Sequence, residues 1–138
     1  MPTAEGDDMG DYTVKRFEEM HAKMGGGFKL ARASLGVTSF GMQIFTLSPD
    51  SGDAHPNHDH LDDGQEEVYV VLDGGGAIVI DGEEVALAPD VAVRVAPGSK
   101  RQLRSGDEGM RVLVVGGVPG KPYEAPSFTE PKPPENGA

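Results

Sequence analysis

The sequence predicts an all-β domain, built as a sandwich or a barrel of short antiparallel strands. Runs of about five β-branched and apolar residues recur roughly every 8–12 positions from Phe28 onward, and Gly, Pro or Asp bounds each run. The chain has 138 residues, which is the size of one domain with its own core. It contains no Cys, which excludes a disulfide scaffold, a thiolate-ligated zinc site and a thiol nucleophile.

Two segments precede these strands. Residues 1–11 are rich in Gly and Asp, a composition that predicts a disordered acidic leader. Residues 12–25 predict a short N-terminal helix, because Phe17, Met20 and Met24 fall on one face of a helical period and a run of three glycines begins where the helix would end.

The β-rich barrel region is predicted over residues 26–118. Alternation over 39–47 predicts one strand, and EEVYVVL and AIVI predict two more, with Gly74-Gly75-Gly76 as a turn between them. Asp81-Gly82 joins AIVI to EEVAL, and this dipeptide is the strongest short hairpin signal because Gly accepts a positive φ. Three further strands are predicted at 91–95, 101–105 and 110–115.

Residues 119–138 carry six of the eleven prolines. Pro cannot donate a hydrogen bond to a β-ladder, so this segment predicts an extended Pro-rich C-terminal tail. Tyr123 and Phe128 are expected to hold the tail against the barrel or against a partner subunit. The strand over 68–72 is apolar on both faces, which suits either a covered central strand or a dimer face, and we expect a homodimer.

The net charge of −11 argues against binding to nucleic acid, because phosphate binding requires a basic surface. The sequence has no apolar run of membrane-spanning length and no signal-peptide pattern, so we expect no membrane partner and a cytoplasmic location. No Lys or Arg occurs over 33–93, a stretch that holds twelve carboxylates and three His. Acidic residues around clustered imidazoles are typical both of a cation site and of a solvated loop.

The spacing of His58 and His60 is the sharpest feature of this acidic stretch. Residues two apart on a strand point to the same face, so both imidazoles can converge on one metal ion. Glu67 begins the next predicted strand and can reach the same point if the two segments pair. Two His and one carboxylate with open positions suit a divalent transition metal such as Fe, Mn, Ni, Zn or Cu. A His-x-His pair in a surface loop remains the alternative.

These residues carry a resemblance to a known family. Gly52, His58, His60, Glu67 and Gly74 resemble the first motif of the cupin superfamily, although the gap between His60 and Glu67 is two or three residues longer than usual.

The second cupin motif is also recognisable. Residues 95–101 resemble it around Pro97-Gly98, but Arg101 stands where that motif carries its metal-binding His. The resemblance extends over about 28–116 and implies a small single-domain cupin. Its fold would be a double-stranded β-helix, or jelly-roll barrel, with a ligand pocket inside.

The resemblance makes Arg101 the residue on which the function depends. A guanidinium stays protonated and cannot ligate a metal. In one interpretation His58, His60 and Glu67 hold a divalent metal, and Arg101 binds an anionic group of a small organic ligand. In the other interpretation no metal binds, Arg101 pairs with Glu67, and the pocket is either a purely organic binding site or a structural remnant.

Three further side chains are candidate ligand contacts. Gln43 lies on a strand that would line the barrel, Tyr69 shares the face of Glu67, and His55 lies on a loop that either folds over the pocket mouth or stays in solvent. The resemblance implies a pocket but no particular reaction, and a metal-dependent oxygenase or isomerase acting on a small molecule is one hypothesis for it. A non-catalytic small-molecule-binding cupin without metal is the alternative.

Overall fold

The computed structural model describes residues 11–131. Within them the chain forms seven β-strands, one α-helix and three short 3₁₀ helices. The strands are β1 (Ala22–Lys23), β2 (Phe28–Lys29), β3 (Gly41–Leu47), β4 (Glu66–Ile80), β5 (Glu83–Leu87), β6 (Ala92–Val95) and β7 (Arg101–Gly117). The helix α1 spans Ala31–Leu35, and the 3₁₀ helices span Phe17–Glu19, Met24–Gly26 and Ser127–Thr129. No helix in the described part of the chain is both long and apolar enough to span a bilayer.

The long strands β4 and β7 pair with each other along their whole length and organise the barrel. The first half of β4 also pairs with β6, and its second half pairs with β5. The end of β7 pairs with β3, and β2 and β1 follow β3 outward. The two halves of the β4–β7 ribbon therefore belong to two sheet regions that face each other across one core.

The loop between β3 and β4 lies against the first half of β7. The Ser51 amide donates to Ser105 Oγ at 3.1 Å, and the Ser105 amide donates to Ser51 Oγ at 2.9 Å. His58 and Arg101 exchange both backbone hydrogen bonds, at 3.0 and 2.8 Å. Because this loop carries His58 and His60, its pairing with β7 places the predicted metal ligands at one end of the barrel.

The main core lies between the two sheet regions. Its buried members are apolar side chains from β3 to β7 together with Tyr69: Leu47, Tyr69, Val71, Ile78, Leu87, Val95, Leu103, Met110, Val112 and Val114. A smaller cluster of Met20, Ala31 and Ile44 covers the outer face of β3. β3 is consequently packed on both faces, by the barrel interior and by α1 with the N-terminal segment.

The predicted N-terminal helix over 12–25 is wrong. Only a 3₁₀ turn at Phe17–Glu19 is helical before Ala22–Lys23, which pairs with Phe28–Lys29 in a small hairpin. Met20 is buried against the outer face of β3, whereas Met24 is 77% exposed. Three apolar residues at helical spacing were too weak a signal against this tertiary pairing.

The only α-helix in the described residues, α1, was missed. Its sequence Ala-Arg-Ala-Ser-Leu consists mainly of good helix formers, and Gly36 ends it in the left-handed conformation at φ 80°. Both signals are local, so they were available in the sequence.

The strand predictions were correct in position, but two pairs of predicted strands are each one continuous strand, β4 and β7. Asp81-Gly82 forms the expected hairpin turn, with positive φ at both residues, and Glu83–Leu87 has the predicted bounds. The predicted turn at Gly74-Gly75-Gly76 is wrong, because these residues lie inside the continuous strand β4. A Cβ at Gly76 would lie 2.1 Å from the carbonyl oxygen of Arg104 on β7. The glycines therefore let two long strands approach closely where their register shifts.

The C-terminal tail is described up to residue 131, and the predicted disordered leader lies outside the described residues except for Asp11. The Phe128 ring stacks on Phe28 with centroids 6.0 Å apart, and Thr129 is buried. Glu130 pairs with the buried Arg32 of α1. The expectation that Phe128 holds the tail against the barrel is confirmed.

Candidate metal and ligand-binding site

A cavity of about 550 Å³ opens at the end of the barrel where the β3–β4 loop, the starts of β4 and β7, and the C-terminal tail meet. All seven side chains predicted to bind metal or ligand line it: His55, His58, His60, Glu67, Gln43, Tyr69 and Arg101. The volume lies within the range of small-molecule sites.

His58, His60 and Glu67 form the only group of three metal-ligating side chains found in the described residues, with one ligand atom of each within 4.8 Å of the others. The rings of His58 and His60 lie edge to face with centroids 5.1 Å apart. Nε2 of His60 lies 3.3 Å from Oε1 of Glu67. The expectation that the strand after the loop would bring a carboxylate beside the two imidazoles is confirmed.

His60 is held through its other ring nitrogen. Its Nδ1 lies 3.0 and 3.2 Å from the two carboxylate oxygens of Asp63, and Gln65 Nε2 donates to Asp63 Oδ2 at 2.9 Å. His60 Nε2 is buried and has no hydrogen-bond partner in the described structure, because its approach to Glu67 lacks hydrogen-bond alignment. Asp63 therefore favours the tautomer in which Nε2 carries a lone pair and faces the cavity.

His58 repeats this arrangement with a backbone acceptor. Its Nδ1 lies 3.3 Å from the carbonyl oxygen of Pro56, which favours a proton on Nδ1 and a lone pair on Nε2, the form that can ligate a metal. Metal-ligating His residues typically have their second nitrogen bonded to a carboxylate or a backbone carbonyl. Both imidazoles thus have the supporting contacts of metal ligands.

Asp63 was not among the predicted site residues, although a signal for it existed. The gap between His60 and Glu67 is longer than in the usual cupin motif, and the added length carries both Asp63 and Gln65. An acidic residue three positions after a candidate His ligand is a plausible second partner, but the sequence holds Asp62 and Asp63 side by side. The conformation of the turn brings Asp63, and not Asp62, to His60, and the Gln65 backbone N–H donates to Asp63 Oδ1 at 3.2 Å.

Oε1 of Glu67 receives contacts from three side chains. The Tyr69 hydroxyl donates to it at 2.7 Å, Arg101 Nη1 lies 3.4 Å away, and His60 approaches as described. The Arg101 side chain is fully buried, and its Nη2 donates to the carbonyl oxygen of Ala96 at 2.6 Å. The pairing of Arg101 with Glu67, one of the two expected roles of this arginine, is present.

Burial and neighbouring charges set the ionisation of the site. Contact with Glu67 raises the pKa of His60. Burial lowers the pKa of His58, which keeps its imidazole neutral around neutral pH. Burial alone would raise the pKa of Glu67, but His60, Tyr69 and Arg101 outweigh that effect and lower it, so the carboxylate is ionised. One carboxylate and a neutral imidazole are in the forms that bind a cation, and a metal bound at His60 would displace any proton from its Nε2.

Gln43 and His55 line the cavity farther from the metal-ligand group. In the orientation that satisfies its neighbours, the buried Gln43 amide donates to the carbonyl oxygens of Lys29 and Met42. The His55 ring lies edge-on to Phe45 with centroids 4.8 Å apart, and burial lowers the pKa of His55. His55 is thus folded over the cavity, but it is not part of the three-residue ligand group.

Comparisons with known proteins agree with this architecture. The sequence profile of the cupin domain matches residues 44–116, more than half of the chain. The structure is similar to a cupin protein from Bacteroides fragilis, with 25% identity, a TM-score of 0.66, and coverage of 91% of this chain and 99% of that one. No curated protein matched the chain.

Two further solved structures illustrate how widely the fold is used. The cupin domain of an XRE-family transcriptional regulator from Enterobacter cloacae shares 25% identity over 61% of this chain and 86% of that one, with a TM-score of 0.51. A sugar phosphate isomerase of the cupin superfamily from Silicibacter pomeroyi shares 22% identity over 66% of this chain and 59% of that one, with a TM-score of 0.55. The predicted jelly-roll fold is confirmed.

Proposed function

Because the chain belongs to the cupin family, we propose that it binds a divalent transition metal through His58, His60 and Glu67 and a small organic molecule in the adjoining cavity. The observation that carries the proposal is the convergence of the three side chains, whose ligand atoms lie within 4.8 Å of one another, while Asp63 holds Nδ1 of His60. The buried Nε2 of His60 lies 3.3 Å from Glu67 Oε1 without an aligned hydrogen bond, and a metal ion bound between them would satisfy both atoms.

The donor set narrows the choice of metal. Two imidazoles and one carboxylate suit Fe, Mn, Ni, Zn or Cu, and they leave coordination positions open for a ligand. A metal bound there would act as a Lewis acid on an oxygen atom of that ligand. Tyr69 and Arg101 both contact Glu67, so they would orient the carboxylate and partly offset its negative charge.

An oxygenase and an isomerase are the two reaction classes we propose for a catalytic version of the site. The resemblance to a sugar phosphate isomerase reflects the fold and does not favour either class. Consumption of dioxygen by the metal-loaded protein with a bound ligand would distinguish an oxygenase from an isomerase.

A second candidate function is a metal-free small-molecule-binding cupin. The specific observation that favours it is the ion pair between Arg101 and Glu67, with Nη1 and Oε1 3.4 Å apart. In that version Arg101 neutralises the carboxylate, and the remaining cavity binds the ligand without metal.

Metal titration of the chelator-treated protein separates the two functions. We expect one Mn²⁺ or Zn²⁺ per chain by calorimetry and elemental analysis, and no tight site in the His58→Ala/His60→Ala variant. His21→Ala is the matched control, because His21 is exposed and lies outside the cavity, and it is expected to retain full metal binding. Equal metal content in the double variant and the parent protein would overturn the metal site and leave the metal-free function.

A further inference from the structure

Two chemically different groups of side chains line the cavity. One is the metal-ligand group, and the other is a set of aromatic rings. The rings of Phe28 and Phe45 stack with centroids 4.8 Å apart and planes 27° apart. Phe128 also stacks on Phe28, with ring centroids 6.0 Å apart and an interplanar angle of 24°. We call Phe28, Phe45 and Phe128 the aromatic wall.

The C-terminal tail supplies the outer ring of this wall. Lys23 Nζ donates to the Phe128 carbonyl oxygen at 2.7 Å, and the following Thr129 is buried. Arg32 pairs with Glu130 one residue later. These contacts fix the backbone beside Phe128, yet the residue is 59% exposed while it lines the cavity. An exposed ring on an anchored backbone offers a face on which another planar group can stack.

The charges of the lining disfavour an anionic ligand. Four carboxylates line the cavity, Asp59, Asp62, Asp63 and Glu67, against two cations, Lys23 and Arg101. Lys23 and Arg101 both already donate to backbone carbonyl oxygens, and Arg101 also contacts Glu67. Within the described lining, the charge of Arg101 is paired with Glu67, and Lys23, which donates to a neutral carbonyl oxygen, is outnumbered by the carboxylates. A bound divalent metal would balance the excess of two negative charges, so the site as a whole matches an uncharged molecule.

We propose that the cavity takes an uncharged planar aromatic compound that carries two adjacent oxygen donors. Its ring lies against the aromatic wall, and its oxygens face His58, His60 and Glu67. The oxygen end rests on the proposed metal-binding function, whereas the ring end does not depend on it. This proposal replaces the expectation that Arg101 anchors an anionic group, because the guanidinium is fully buried, its Nη1 contacts Glu67 and its Nη2 donates to Ala96, which leaves only the buried Nε without a partner in the described structure.

Three probes test the proposal with the chelator-treated and the Mn²⁺-loaded protein. The probe 2-naphthol has an aromatic ring system and one oxygen, and 2,3-dihydroxynaphthalene has the same ring system and two adjacent oxygens. Glucose 6-phosphate is anionic and has no aromatic ring. Fluorescence anisotropy reports the two naphthalenes, and calorimetry reports the sugar phosphate. We expect 2-naphthol to bind both forms equally, the diol to bind the Mn²⁺ form at least about 10-fold more tightly than the metal-free form, and glucose 6-phosphate to bind more weakly than either.

The Phe128→Ala variant tests the wall directly. Loss of one ring contact is expected to weaken both naphthalene probes by about 3- to 10-fold. The affinity for Mn²⁺, followed by the Mn²⁺ electron paramagnetic resonance signal, should be unchanged. Phe40→Ala is the matched control, since Phe40 is a partly exposed ring outside the cavity lining, and its probe affinities should equal those of the parent.

The possible failures are distinguishable. Tighter binding of glucose 6-phosphate than of the naphthalenes, or unchanged probe affinities in Phe128→Ala, would overturn the aromatic ligand class. Saturating Mn²⁺ binding without any preference of the diol for the Mn²⁺ form would overturn the adjacent oxygens but leave the metal site intact. Absence of Mn²⁺ binding would overturn the proposed metal function and the oxygen end together, and 2-naphthol binding would still decide the ring end.

Discussion

Asp63 orients the His60 ring, and its replacement by Ala is expected to weaken metal binding by about 10- to 100-fold. Both carboxylate oxygens of Asp63 lie within 3.2 Å of His60 Nδ1. The His60 side chain is only 13% exposed, whereas the Asp63 side chain is 36% exposed, so water can reach the vacated position and the loss is expected toward the lower end of that range. Without Asp63 the imidazole no longer prefers the tautomer with a lone pair on Nε2. Part of the metal-binding free energy is then spent on shifting the ring to that tautomer.

Two variants separate orientation from charge. Asp63→Asn keeps an acceptor for Nδ1 but removes the charge, and charge-assisted hydrogen bonds are roughly twice as strong as neutral ones, so a loss of about 10-fold or less is expected. Asp62→Asn removes the same charge one residue away. Asp62 also lines the cavity but has no hydrogen bond to His60 in the described structure, so it should cost about 2-fold or less.

Competition with a metal-indicator dye measures these affinities at fixed pH and ionic strength. Unfolding curves of the metal-free variants check that each remains folded. Equal losses in Asp63→Ala and Asp62→Asn would show that only the local charge matters, and an unchanged affinity in Asp63→Ala would refute the orienting role outright.

Two further predictions concern the partners of Glu67. Arg101→Met should lower the free energy of unfolding of the metal-free protein by about 3–5 kcal/mol, because it removes the arginine that pairs with the buried Glu67 carboxylate. Urea unfolding should show a clearly smaller loss with Zn²⁺ bound. The same loss in both forms would contradict this prediction. Burial and the Glu67 charge raise the pKa of Tyr69 well above 10, so its contribution to stability is complete below pH 10 and is lost as pH rises through the folded-state pKa. The fall in unfolding free energy between pH 9 and pH 11 should therefore be smaller in Tyr69→Phe, and an identical fall in both proteins would be the contrary result.

Local signals explain how much of the fold was predictable. The Asp81-Gly82 hairpin depends on two adjacent residues with positive φ, and it was predicted correctly. Gly74–Gly76 has the same composition as a turn, but its conformation depends on β7, which lies about 30 residues away in sequence and approaches closely enough to exclude a Cβ. The N-terminal hairpin also depends on a strand that is distant in sequence. Ala22–Lys23 pairs with Phe28–Lys29, and Phe28–Lys29 in turn pairs with β3.

Some residues of the candidate site could be predicted from the sequence, and the roles of others depend on the fold. The positions of His58, His60 and Glu67 follow from motif spacing, and the structure brings their ligand atoms together. Arg101 was expected either to bind an anion or to pair with Glu67, and only the fold, which buries it completely, favours the second role. Phe128 was expected to hold the tail, but its place in the cavity wall follows from where the tail returns to the barrel. A homodimer and a cytoplasmic location stay predictions.

An anomalous difference map from crystals grown with Zn²⁺, recorded on both sides of the zinc absorption edge, tests the metal site most directly. The account predicts one strong peak in the cavity, at about 2.0–2.2 Å from a ring nitrogen of His58, Nε2 of His60 and a carboxylate oxygen of Glu67. A map with zinc only on exposed carboxylates, and with the Arg101–Glu67 pair intact and no peak between the two imidazoles, would contradict it.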